Sequence, residues 1–107
     1  NKMLKCNLQN GDIIVEREGE MGIYESKGER IVYTDGGQVI SSWNDDLTWY
    51  DETGSYLDIV KVYRPFQASK NSDPILRLIF ERPEEVVMTI SEIEKKLGIT
   101  NLKIVKE

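Results

Sequence analysis

The stretch Arg30–Trp43, which reads RIVYTDGGQVISSW, decides the fold of this chain. It opens with a β-branched and aromatic run, Ile31–Tyr33, which favours an extended strand. Asp35–Gly37 follows, and an Asp-Gly step between two apolar runs is a strong signal for a β-hairpin. Gln38–Trp43 is therefore predicted to run back antiparallel to the strand before it.

The same alternation of short apolar runs and turn residues continues on both sides of this hairpin. Asn10–Asp12, Gly19 and Lys27–Glu29 mark turns, and Met21 and Ile23 fall on one apolar face of the strand between them. The predicted strands are Asp12–Arg17, Met21–Glu25, Arg30–Thr34, Gln38–Trp43 and Tyr56–Tyr63. Five short strands at regular spacing predict a small antiparallel β-barrel or roll.

The C-terminal third predicts a strand, a helix and a second strand. Arg64-Pro65 is expected to end the barrel, and Ile75–Glu81 alternates as a strand. Thr89 and Glu92 form a capping box, and Gly98 suits a left-handed helix end. A row of apolar residues then falls on one helical face: Ile90, Ile93 and Leu97. Leu102–Lys106 is predicted as the last strand.

Length and composition predict a single domain over residues 1–107. The chain has 107 residues, of which 39% are hydrophobic and 31% charged, which suffices for one modest core. The predicted class is α+β and mainly β: a barrel-like part over 1–64, a loop over 65–74 and a strand–helix–strand appendage over 75–107. No run approaches the roughly 20 apolar residues that span a bilayer. No signal-peptide pattern opens the sequence, so a cytoplasmic protein is expected.

Negative charge is concentrated in the first part of the chain. The net charge is −5, and residues 1–64 hold 12 acidic against 7 basic side chains. Between Arg30 and Lys61 there is no Lys or Arg at all. Such a segment repels a phosphate backbone, which disfavours direct binding of nucleic acid. The predicted helix resembles the first helix of helix-turn-helix domains, but the tail after it is too short for a recognition helix.

The residue types present disfavour an enzyme. The chain contains no histidine and one cysteine, Cys6, so triads that use histidine, an internal disulfide and a zinc site built on cysteines are excluded. The glycine pair Gly36-Gly37 lacks the Lys and Ser/Thr of a phosphate-binding loop. Neither a cofactor nor a metal is predicted. Weak calcium binding by the loop oxygens is the alternative: Asn44, Asp45, Asp46, Asp51 and Glu52.

Aromatic and acidic residues alternate in the loop that follows the hairpin. The predicted partner-binding residues are Trp43, Asp45, Asp46, Trp49, Tyr50, Asp51 and Glu52. Aromatic anchors dominate the energetics of protein interfaces, and carboxylates select a basic partner. The alternative from the same residues is that Trp43 and Tyr56 close the core and the others cover its rim.

Two segments resemble small proteins encoded by phages and prophages of Firmicutes. One is Leu8–Gly19, and the other is Asp58–Arg64; the tail Met88–Val105 is similar to the ends of such proteins. The shared motifs are turns, a strand and a capped helix, so the resemblance transfers no functional residue. It implies an accessory protein of the phage that acts in the host cytoplasm.

Three functions follow as hypotheses. The first is a non-enzymatic binding protein that inhibits a bacterial defence effector such as a CRISPR nuclease, whose basic nucleic-acid groove would meet the acidic surface. The second is a sponge for a small signalling nucleotide, with Arg64 or Arg77 near the phosphates. The third is a structural or assembly module of the phage, for which a homo-oligomer is expected.

Overall fold

The computed structural model describes residues 2–83, which form one six-stranded antiparallel sheet. The strands are β1 Ile13–Glu16, β2 Met21–Glu25, β3 Arg30–Tyr33, β4 Gly36–Val39, β5 Ile59–Phe66 and β6 Ile75–Glu81. Their order across the sheet is β4-β3-β2-β1-β5-β6. Three short 3₁₀ helices span Lys5–Asn7, Ile40–Ser42 and Glu52–Leu57. The prediction of a mainly β, antiparallel fold is confirmed.

The predicted barrel is not formed by the described residues, because the sheet is open. Strands β4 and β6 lie at its two edges and do not pair with each other. The first strand of the predicted appendage, Ile75–Glu81, is instead the sixth strand of the same sheet and pairs with β5. The predicted helix around Thr89–Gly98 and the strand Leu102–Lys106 lie outside the described residues.

Several strand ends differ from the prediction for identifiable reasons. Strand β5 continues through Pro65 to Phe66, where the sequence predicted a stop. Pairing with β1 ends at Tyr63, so beyond it β5 has a partner on one side only, and proline is tolerated at such an edge. Strand β4 ends at Val39, because the chain turns into a 3₁₀ helix before Trp43.

One face of the sheet packs against the chain's own loops. Ile14, Ile31 and Val62 are completely buried on this inner face. Side chains from the loop after β4 cover them, above all Trp43 and Leu47. The fold therefore builds its core from one sheet face and irregular segments, and burial of this apolar surface is its main driving force.

A buried ion pair ties the N-terminal segment to the sheet. The carboxylate of Asp12 is completely buried and accepts from the Gln9 amide at 2.8 Å. The Arg64 guanidinium donates to both Asp12 oxygens, at 2.8 and 2.9 Å. Arg64 also donates to the Asn7 carbonyl. A two-pronged arginine–carboxylate pair of this kind fixes geometry as well as charge.

A second polar contact crosses the sheet at Gly22. The Tyr33 ring lies over Gly22, where a Cβ atom would come within 2.9 Å of the ring and 2.5 Å of Ile31 Cγ2. From this position the Tyr33 hydroxyl donates a hydrogen bond to Glu16 Oε2. Glycine is therefore required at position 22, because any side chain would displace the ring that reaches Glu16.

The environment of Glu16 favours its protonated form. Burial is the main cause that raises the pKa of Glu16 from 4.5 to about 6. The hydrogen bond from Tyr33 opposes this shift, and the negative charges of Glu20 and Glu18 add to it. Burial also raises the pKa of Tyr33, and the hydrogen bond to Glu16 adds to that effect.

In the described part of the chain, no helix has the length and apolar character needed to cross a bilayer. The longest 3₁₀ helix, Glu52–Leu57, has six residues.

We expect Gly22→Ala to lower the free energy of unfolding by about 1–3 kcal/mol, because the new methyl group overlaps Ile31 and Tyr33. Gly28→Ala is the matched control. Its Cβ would meet only the ends of the Glu25 and Arg30 side chains. A change of no more than about 0.5 kcal/mol is expected there. Urea denaturation measures both, and equal losses would contradict the proposed overlap at Gly22.

The raised pKa of Glu16 predicts a pH effect on stability. Between pH 4.5 and about 6 the folded state binds more protons than the unfolded state, so this residue's contribution to stability falls as pH rises through that window. The loss approaches about 2 kcal/mol above pH 6. The Glu16→Gln side chain cannot ionise and so avoids this loss. The free energy of unfolding of the variant should therefore rise relative to that of the parent between pH 4.5 and 7. Denaturation in chelating buffer measures this gain, and a pH-independent difference would contradict the assignment.

Candidate functional site

The acidic and aromatic loop after β4 is held by internal hydrogen bonds. Trp43 and Trp49 form an isolated antiparallel bridge. Between them the Asn44 amide donates to the Thr48 carbonyl at 2.7 Å, and the Leu47 amide donates to the Asn44 carbonyl at 2.9 Å. Leu47 has a φ of 71° and is completely buried. Burial of its side chain offsets the cost of this left-handed conformation.

Trp43 lies in the core and not on the surface where the sequence placed it as an anchor. Its side chain is 2% exposed, and its indole Nε1 donates to the Leu57 carbonyl at 2.9 Å. The alternative interpretation, in which Trp43 fills the core, is the one the structure supports. The same interpretation is wrong for Tyr56, which is 52% exposed.

Trp49 and Tyr50 form the aromatic part of the surface. The Trp49 ring meets Trp43 edge-on at a centroid distance of 5.1 Å, and Tyr50 lies 5.1 Å from Trp49. Trp49 packs onto Gly54, where a Cβ atom would stand 2.3 Å from its ring. Tyr50 is 66% exposed. Trp49 is thus a half-buried support, and Tyr50 is the aromatic side chain available to a partner.

A depression of about 410 Å³ lies beside these two rings. Asp51 and Glu52 line it together with Trp49 and Tyr50. Asp51 also accepts from the Thr53 amide at 3.0 Å and caps the 3₁₀ helix Glu52–Leu57. Four of the seven predicted residues therefore share one site, and we call the cavity that these four line the aromatic–acidic depression.

A buried carboxylate that the sequence did not single out supports this depression. Asp58 is 7% exposed and accepts from the Trp49 amide at 2.7 Å. Its other oxygen accepts from Arg17 Nη1 at 2.8 Å. Asp58 thereby connects the depression to the turn between β1 and β2. Its burial and its contacts with Arg17 and the Trp49 amide distinguish it from the exposed acids near it in sequence.

Asp45 and Asp46 are placed apart from the depression. The Asp45 side chain is 92% exposed, and Lys5 Nζ lies 4.0 Å from its Oδ1. Asp46 accepts from the Thr48 hydroxyl and amide, and these hydrogen bonds, with the nearby Arg82, lower the pKa of Asp46. Arg82 also donates to the Asp46 carbonyl at 2.7 Å. Neighbouring cations therefore offset the charge at this end of the loop.

The predicted oxygen ligands of the loop are not assembled around one point. Asp46 and Asp51 bind nearby backbone amides, while Asp45 faces Lys5. A closer group of carboxylates lies elsewhere, at Glu16, Glu18 and Glu20, whose oxygens lie within 4.8 Å of one another. Among the described residues, three carboxylates therefore lie close enough to share a cation on the β1–β2 turn and not in the loop after β4.

The two arginines considered for nucleotide phosphates have other contacts. Arg64 is held by Asp12, as described above. The Arg77 guanidinium lies over the Phe66 ring, 4.5 Å from its centroid. Neither arginine lines the aromatic–acidic depression. The geometry therefore does not favour a pocket that stacks a base and binds its phosphate there.

A second feature is an apolar row across the outer face of the sheet. Residues directly opposite each other on paired strands point to the same face. The registers join Leu78 to Tyr63, Tyr63 to Ile13, Ile13 to Ile23, and Ile23 to Val32. Ile23 is 54% exposed and Leu78 is 44% exposed. Contiguous apolar surface of this kind is typical of interaction sites.

Comparisons with protein-family models, with curated proteins and with solved structures gave no match to this chain. The resemblance to phage and prophage proteins therefore stays a prediction, and the site has to be interpreted from its own chemistry.

Proposed function

We propose that this chain is a non-enzymatic binding protein that receives a lysine or arginine side chain of a protein partner in the aromatic–acidic depression. The observation that carries the proposal is the exposed Tyr50 ring beside the carboxylates of Asp51 and Glu52. A cation is attracted both to the face of an aromatic ring and to a carboxylate.

The surroundings of the depression suit this role. Trp49 is fixed from below by Gly54, Trp43 and Asp58, so the surface is ordered before a partner arrives. Preorganisation of this kind reduces the entropy lost on binding. The nearest basic side chain along the sequence is Lys61, on strand β5. The acidic charge is therefore not balanced within its own segment.

The partner that fits is a protein with a basic, nucleic-acid-handling surface. In the setting implied by the resemblance to phage and prophage proteins, it is a bacterial defence effector such as a CRISPR nuclease, met in the host cytoplasm. Occupation of a basic groove by an acidic protein blocks access of nucleic acid to that groove.

Capture from a bacterial lysate followed by affinity measurement tests this proposal. The parent chain should retain a basic nucleic-acid-binding protein and inhibit its binding of nucleic acid. Tyr50→Ala should weaken that affinity by about 10-fold or more, as for an aromatic hot spot. Glu52→Lys should weaken it as well and reduce its dependence on salt.

The matched control for charge is Asp35→Lys, at the exposed hairpin between β3 and β4. It makes the same change of charge away from the depression, so the affinity should stay within about threefold of the parent if the contact is local. If Asp35→Lys weakens binding as much as Glu52→Lys, diffuse charge and not the depression accounts for the interaction. Retention of the same partner by Tyr50→Ala/Glu52→Lys would overturn the proposal.

A second candidate function, self-assembly, is favoured by the apolar row alone. If the row is the contact between copies, the parent should form a dimer or larger assembly at micromolar concentration in light scattering. Ile23→Glu should return it to a monomer, because a charge would be buried in the contact. Leu4→Glu alters an exposed apolar side chain outside the row and should leave the assembly intact. A monomeric parent would exclude this function.

A further inference from the structure

The turn between β1 and β2 brings three carboxylates together. Glu16 ends β1, and Glu18 and Glu20 follow in the turn, so alternate residues supply the group. One oxygen from each lies within 4.8 Å of the other two. Glu18 and Glu20 are exposed, whereas Glu16 is 2% exposed.

The buried member of this group has an oxygen without a partner. Tyr33 donates to Glu16 Oε2, while Oε1 is buried and, among the described contacts, accepts no hydrogen bond. A buried carboxylate oxygen without a donor costs free energy, and native proteins normally satisfy such atoms with a donor, a water molecule or an ion. The unsatisfied atom belongs to the side chain that approaches the other two carboxylates.

None of the ion pairs formed within residues 2–83 includes a carboxylate of this group. The acids in those ion pairs are Asp12, Glu25, Asp45 and Asp58. Three carboxylates therefore adjoin with no basic partner among the ion pairs of that range. One positive ion bound between the three carboxylates would relieve their mutual repulsion and would give the buried Glu16 side chain a further electrostatic partner.

We propose that Glu16, Glu18 and Glu20 form a calcium site, with Tyr33 as the residue that orients Glu16. The proposal is independent of the function proposed for the aromatic–acidic depression. Carboxylate oxygens are the ligands that Ca²⁺ prefers, and two ligands at about 2.3–2.6 Å from one ion stand at most about 5 Å apart. Three evenly spaced ligands at that distance stand about 4.5 Å apart or less, so the observed separations of up to 4.8 Å require a small contraction for Ca²⁺ and a larger one for Mg²⁺, whose bonds are about 2.0–2.1 Å.

The exposed ligands determine how the ion would enter and how tightly it would bind. Glu18 and Glu20 are exposed on the turn surface, so an ion would reach the buried Glu16 carboxylate from their side. Water would complete the six to eight oxygen ligands typical of Ca²⁺. A site with three protein carboxylates on one turn is expected to bind Ca²⁺ with a Kd of about 10⁻⁴–10⁻³ M.

Terbium luminescence with calcium competition tests this site in the whole chain. Tb³⁺ should bind saturably at one site with emission sensitised by the nearby Tyr33 ring, and Ca²⁺ should displace it. Glu18→Gln/Glu20→Gln should weaken Ca²⁺ binding by about 10-fold or more, because each change removes a charged ligand. Both positions are exposed, so this variant keeps the fold.

Two further variants separate a built site from general acidity. Glu16→Gln should lose Ca²⁺ affinity by about 10-fold or more, while its thermal midpoint in chelator stays at or above that of the parent. Asp45→Asn/Glu52→Gln removes the same charge from the loop after β4 and should leave the affinity within about twofold.

The outcomes that overturn the proposal are distinct. Non-saturable Tb³⁺ emission, or an equal loss of affinity in Asp45→Asn/Glu52→Gln, would show that diffuse charge attracts the ion. Absence of Ca²⁺ displacement in the parent would show that the three carboxylates do not form a calcium site. In either case the function proposed for the depression is untouched, because its test measures the affinity for a protein partner and not for a metal ion.

Discussion

Burial of Trp43 is the interaction on which the rest of the structure depends. The sheet has one apolar inner face, and among residues 2–83 the cover for that face comes from loops. Trp43 supplies the largest of the most deeply buried side chains, and its indole nitrogen still reaches the Leu57 carbonyl. Because that hydrogen bond satisfies the polar edge of the ring, the whole side chain can be buried without an unpaired donor.

The same burial creates the surface that we propose for binding. A loop fixed at Trp43 and Leu47 cannot move freely, so Trp49 is held at the core boundary and Tyr50 is held outside it. The proposed function therefore rests on a division of roles between neighbouring aromatic residues. Trp43 anchors the loop, Trp49 supports the surface and Tyr50 is presented to solvent. Composition alone assigns all three to the same class.

The β1–β2 turn and the aromatic–acidic depression are mechanically connected. Arg17 donates to the Ser55 carbonyl and to Asp58, and the Glu18 amide donates to the Tyr56 carbonyl. Ser55 and Asp58 also line the depression. An ion held by Glu16, Glu18 and Glu20 would stiffen a turn that is hydrogen-bonded to the segment beneath the depression. The two sites remain chemically separate, since they share none of their proposed ligand-binding residues.

The sequence by itself determined which six segments form strands, with differences at several strand ends. The β-branched run Ile31–Tyr33 and the step Asp35–Gly37 specify a hairpin through local preferences, which need no distant contact. It also determined that Trp49, Tyr50, Asp51 and Glu52 belong to one polar, aromatic loop. It did not reveal that Met21 and Ile23 lie on the exposed face, because alternation marks a face without saying which side is covered.

Tertiary structure alone decided closure, burial and the grouping of charges. An open sheet and a closed barrel use the same strand signals and differ only in whether the edge strands meet. Trp43 became core and Tyr56 surface because the loop's path decides which ring faces the sheet. The alternate glutamates from position 16 to position 20 are visible in the sequence. The hydrogen bond to the Glu16 carboxylate, in contrast, comes from Tyr33, which lies 17 residues later and packs over Gly22. Contacts between residues far apart in sequence depend on the packed arrangement of the strands, which local preferences do not encode.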